Sequence, residues 1–143
     1  MIYLDTSVAL AHLLAEDRSP PDAIWEEELV SSRLLEYELW NRIHSRDLER
    51  SHGDLVRLLL ARLAWLELLP EVLGRATRPF PAPVRTLDAV HLASVAFLRE
   101  RGREPVLATY DERMAGVATA MGIPLAALVG QVDVSSGEGP GTD

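Results

Sequence analysis

Cysteine is absent from this 143-residue chain, which removes thiolate catalysis and cysteine-type zinc sites and fits a reducing, cytoplasmic compartment. Lysine is absent too, so all 14 side-chain cations other than histidine are arginines. Arginine suits bidentate phosphate contacts, although an arginine-biased composition alone carries no site information. No apolar run approaches the roughly 18 residues of a membrane span, and no basic-plus-apolar leader precedes the first strand, so a soluble protein is expected. Positive charge is also in short supply: 22 Asp and Glu leave a formal charge of −8. That balance argues against loose, non-specific nucleic-acid binding. Nucleic acid stays possible as a substrate only if metal ions mask the carboxylates and arginines cluster locally.

What is present reads as a single domain, without repeats or an interdomain linker. An apolar strand at 2–4 meets Asp5-Thr6-Ser7 and then a helix. After a loop at 16–21, Pro21 opens a short helix through Trp25 and Glu26. A strand at 29–32 leads into a helix over 33–48, and a second helix over 53–63 packs back on it through Leu55, Leu58, Leu59 and Leu63. Residues 65–69 are extended, either a third strand or the approach to a short helix at 71–76. Alternating prolines at 79, 81 and 83 make a rigid connector. A helix over 86–101, a strand at 104–109, a helix over 111–121 and a last edge strand at 123–125 complete the pattern. Alternating strands and helices predict an α/β fold, a parallel sheet of four to five strands with helices on both faces. The folded domain is expected over 1–130, with a small, polar, Gly-rich, disordered tail at 131–143.

Four acids occupy awkward positions. Asp5 and Asp111 each follow an apolar strand at the turn into a helix, where ligands of parallel sheets bind, and where a helix cap also belongs. Asp88 lies on a helix that is apolar on nearly every side, either compensated by a cation or favoured by the helix dipole behind a Thr86 cap. Glu36 and Glu38 point about 160° apart, so only one of them faces any site, and the pattern does not choose. His91, one turn after Asp88, reads as a buried, satisfied residue or as a donor to a carboxylate or phosphate. Arg42 and Arg46 follow Glu38 along one stripe and, with Arg85, are candidate phosphate contacts; a solvated helix face is the other reading. Acids gathered together repel one another, so the set makes sense chiefly around a divalent cation, and oxygen-only donors favour Mg²⁺ or Mn²⁺.

The order of Asp5-Thr6-Ser7, Ser32 with Glu38 six residues on, Thr86-Leu87-Asp88-Ala89-Val90-His91-Leu92-Ala93, and Thr109-Tyr110-Asp111 resembles the PIN-domain ribonucleases of the VapC toxin type. The resemblance spans about residues 1–128. It implies Mg²⁺- or Mn²⁺-dependent cleavage of RNA, with Asp5, Glu38, Asp88 and Asp111 as catalytic and metal-binding acids and Glu38 chosen over Glu36 by the Ser-to-Glu spacing. Thr6 and Thr109 then match the supporting hydroxyls. The expected partners are RNA, a cognate antitoxin seated on the 33–63 hairpin with Trp40 as anchor, and a second copy in a homodimer. An RNA-processing PIN nuclease without an antitoxin, or a PIN-like binding module that has lost catalysis, are the alternatives. A phospho-receiver would need a late Lys, and a haloacid-dehalogenase phosphatase a second Asp where Ser7 stands.

Overall fold

The computed structural model describes residues 1–128, so the tail expected at 131–143 lies outside the described residues. Four parallel strands, β1 (Ile2–Leu4), β2 (Leu29–Ser32), β3 (Ala64–Leu66) and β4 (Val106–Ala108), lie in the order β3-β2-β1-β4. Between and after them run α1 (Thr6–Leu13), a 3-10 turn at Asp22–Glu26, α2 (Arg33–Ser45), α3 (Glu49–Ala61), α4 (Pro70–Ala76), α5 (Thr86–Glu100) and α6 (Glu112–Ala120). Among the described residues no helix is long and apolar enough to cross a membrane.

The period-2 alternation of the strands divides the core in two. Ile2, Leu4, Leu29 and Ala108 pack with the apolar faces of α1, α2 and α3. Tyr3, Val30 and Leu107, which pair side by side across β2, β1 and β4, pack on the other face with α5 and α6. Helices therefore cover both faces. Leu35, Leu39 and Ile43 of α2 are fully buried, each contributing about 1.5–3 kcal/mol of apolar burial.

Several boundaries differ from those the sequence predicts. The first helix of the hairpin stops at Ser45 and the second begins at Glu49, not at residue 53. Asp47 takes a left-handed conformation (φ 54°) and the Leu48 amide donates to the Ile43 carbonyl at 2.9 Å, closing α2 where its sequence still reads as helical. On α3 the buried side is Gly53, Val56 and Leu59, whereas Leu55 and Leu58 are 52% and 66% exposed. Trp40 is not an open anchor either, because its ring stacks on His44 and lies under the Arg57 guanidinium. The expected edge strand at 123–125 shrinks to a single bridge between Leu107 and Leu125, as Pro124 limits further pairing. Arg85, not Thr86, is the cap residue of α5, and it offers no side-chain hydrogen bond there.

Candidate active site

β1 and β4 are neighbours in register, Leu4 beside Ala108, so their carboxyl ends deliver Asp5 and the 109–111 turn to one place. The Asp5 amide extends the ladder by donating to the Ala108 carbonyl at 3.0 Å. The Asp5 side chain is 4% exposed overall and its Oδ2 is held from two sides. Ser7 Oγ donates to it at 2.6 Å and Thr109 Oγ1 at 2.8 Å. The Ser7 amide at 3.4 Å makes Asp5 the cap of α1 as well. Ser7 Oγ in turn accepts the Tyr110 amide at 3.0 Å, and Thr109 Oγ1 accepts the Asp111 amide at 3.0 Å. Asp111 caps α6 through Oδ1, which accepts from the Met114 amide at 2.9 Å. Two loops from adjacent strands are thus tied around one carboxylate.

Glu38 arrives from β2. Ser32, fully buried, ends that strand and caps α2 by accepting the Leu34 amide, which fixes the helix direction. One and a half turns later Glu38 Oε1 accepts from Thr6 Oγ1 at 2.9 Å and from His91 Nε2 at 2.6 Å. Glu36 instead pairs with Arg33 at 2.9 Å on the outer side of the helix, so the two glutamates separate as their angular offset requires.

His91 is 1% exposed and sits on α5 with Tyr3 behind it. Burial works to lower its pKa, but the Tyr3 oxygen, the hydrogen bond it donates to Glu38 and the charges of Asp5 and Glu38 outweigh that and raise it to about 10. As an imidazolium it donates from both nitrogens, Nε2 to Glu38 and Nδ1 to the Tyr3 hydroxyl at 2.8 Å. Tyr3, His91 and Glu38 therefore form one buried chain across β1, α5 and α2. Its burial leaves His91 no access to a phosphate.

Asp88 lies one turn before His91 and is half-buried. Its carboxyl is held above the usual carboxylate range first by burial, then by the charges of Asp111 and Asp5, with His91 and Arg85 acting the other way. Asp88 thus feels both Asp111 and Asp5, with Arg85 near enough to act the other way. Arg42 and Arg46 are exposed, and no ion pair joins either to the four acids among the described residues. Sequence reasoning missed Ser7 and Tyr3. Ser7 carries a signal, a hydroxyl two residues after a capping Asp, while Tyr3 reads simply as an apolar strand residue.

The donor set consists of hard oxygens; those of Asp5, Glu38 and Asp111 are braced by hydroxyls, amides or an imidazolium, and the repulsion felt by Asp88 is what a cation would relieve. Among the described residues no three His, Asp or Glu side chains converge tightly enough to ligate one ion together.

A PIN domain model matches residues 2–120. Ribonuclease VapC47 of Mycobacterium tuberculosis is 34% identical over 122 residues, covering 80% of this chain and 87% of the relative. Ribonuclease VapC35 of the same species is 32% identical over 133 residues, covering 89% and 96%. Two crystal structures share the fold. VapBC2 from Rickettsia felis bound to a DNA fragment from their promoter matches with a TM-score of 0.67 at 12% identity, covering 90% of this chain and 100% of that one. VapC20 of M. tuberculosis, a sarcin-ricin loop cleaving toxin, matches with 0.62 at 18% identity, covering 81% and 94%. With the domain model spanning nearly all the described residues and relatives above 30% identity along most of its length, the chain belongs to the PIN-domain family, among the VapC ribonucleases.

Proposed function

We propose that this protein is a Mg²⁺- or Mn²⁺-dependent endoribonuclease, the toxin of a toxin–antitoxin pair, working in the cytoplasm as a homodimer. The observation that carries the reading is the meeting of Asp5 and the Asp111 turn at the carboxyl ends of two adjacent strands, joined through Thr109, with Glu38 held by Thr6 and by His91 of the helix that also carries Asp88. Asp5, Glu38 and Asp88 would hold the ion directly or through water, and Asp111 would serve a second ion or orient a water. When bound, such an ion supplies a more acidic water and neutralises charge on the phosphate oxygens.

The chain's own residues do the rest. Thr109 and Ser7 occupy Oδ2 of Asp5 and leave Oδ1 free of close hydrogen bonds, so the carboxylate presents one oxygen in a fixed direction. Thr6 and His91 do the same for Glu38 through Oε1. With the acids unable to swing, the site has little reorganisation left at the moment of reaction. Arg85, exposed at the start of α5, is placed to take a phosphate oxygen of the RNA; Arg42 and Arg46 would guide the strand from farther along α2. For the antitoxin, the exposed Leu55 and Leu58 border a cavity of about 190 Å³ with Trp25 and His12, and this replaces Trp40 as the apolar foothold.

The decisive experiment is Asp5→Asn, tested for Mn²⁺-dependent cleavage of single-stranded RNA and for growth arrest on induction. Both activities should be lost; toxicity equal to wild type would sink the reading.

A further inference from the structure

A second cavity, about 520 Å³, opens on the β4 side of the acids. Thr109 and Asp111 form the wall it shares with the site, and the 17–19 loop, Tyr110, Glu112 and Ala115 complete much of the rest. We propose that this cavity is a nucleobase subsite, taking one base of the RNA strand whose backbone passes the acids and favouring a base with an exocyclic amino group. The inference rests on the nuclease reading and adds to it the place where substrate sequence is read.

Three properties of the cavity lead to a base rather than a phosphate. Its charge is wrong for an anion, since Arg18 is set against Asp17, Asp111 and Glu112. Its shape suits a flat group. The Arg18 guanidinium lies over the Tyr110 ring, 4.8 Å from its centre, and donates to the Tyr110 carbonyl at 3.3 Å, so a flat cationic group is held against the aromatic at the end of β4. Guanidinium and aromatic planes are the surfaces on which unpaired bases stack. Its volume lies within the range of about 300–1,000 Å³ typical of small-ligand pockets, enough for a nucleoside. The preference among bases follows from the polar lining: carboxylates only accept hydrogen bonds, so they match amino N–H groups, whereas uracil would present two carbonyl oxygens to them. The shared wall sets register. A base held between Arg18 and Ala115 lies next to Asp111, so its own phosphate or the adjoining one reaches the acids.

The test uses the full chain and short single-stranded RNAs that differ only at the nucleotide beside the cleaved bond. Binding is read by fluorescence anisotropy without divalent ions in the Asp5→Asn protein, and cleavage with Mn²⁺ in the otherwise wild-type protein. Each is repeated with Arg18→Ala, on an exposed loop, and with Ala115→Trp, which fills the cavity. Both variants should weaken binding about tenfold, as expected for one lost base stack, raise KM with kcat retained, and flatten the preference for amino-bearing bases. If wild-type protein cleaves RNA but both variants keep its affinity and base preference, the subsite is refuted and the nuclease reading stands. Equal cleavage of uracil and amino-bearing substrates by wild type would refute the preference. A wild-type protein that cleaves no RNA overturns the nuclease reading and this inference with it.

Discussion

Asp88 is the acid with the poorest support, and its position carries a stability cost. Burial and the charges of Asp111 and Asp5 raise its pKa in the folded state above the ordinary value. The sign follows from linkage: a carboxyl whose folded pKa is raised binds its proton more tightly when folded, so the native state loses stability as pH rises through the two pKa values and Asp88 ionises. Above its folded pKa the metal-free protein bears that penalty. Asp88→Asn is therefore expected to raise the melting temperature of metal-free protein while abolishing Mn²⁺-dependent cleavage, checked by calorimetry in EDTA beside an RNA assay. A lower melting temperature would mean that the carboxylate contributes more as a first-turn helix charge than it loses by repulsion. The same trade of stability for a poised site is common where activity needs like charges held together. Glu38 differs, because Thr6 and the His91 imidazolium compensate its charge without a metal.

At the level of elements, the sequence shows most plainly those structures whose signals are local. β1 and β2 are short apolar runs ending in polar caps, and α5 is a long helix with no breaker, so each is found where composition puts it. Asp5 and Asp111 are legible for the same reason, since a carboxylate just past an apolar strand is conspicuous. What escapes depends on distant partners. The Tyr3–His91 contact joins residues 88 apart, and nothing near Tyr3 announces it. The outward turn of Leu55 and Leu58 depends on how α3 rolls against α2, and the early end of α2 depends on one backbone conformation at Asp47. That turn gives an element-level prediction. A β-branched residue tolerates the left-handed region poorly, so Asp47→Val should destabilise the protein by about 1–2 kcal/mol in urea unfolding. Asp47→Gly should match wild type or exceed it; a silent valine variant would show that the hairpin does not need this conformation.

Over the whole molecule, the sheet and the helices that follow it bring separately encoded acids toward one end, and a cation bound there, as proposed, would couple metal binding to folding. Any ion that binds only the native state adds stability by mass action, about 2.7 kcal/mol at a hundredfold excess over Kd. Mn²⁺ should accordingly raise the melting temperature of wild type in a concentration-dependent way and leave Asp5→Asn unmoved. An equal shift in both proteins would place the binding elsewhere. The double role of Asp5 and Asp111, each capping a helix while facing the site, has a genetic consequence. Asparagine caps a helix about as well as aspartate, and a single base change converts one codon to the other. If Asp5 and Asp111 serve the proposed site, a cell harmed by this protein has an easy escape: one point mutation would leave a well-folded, full-length and harmless product. Survivors of its expression should be enriched in such amide variants, and a gene that looks intact by length can already be silent.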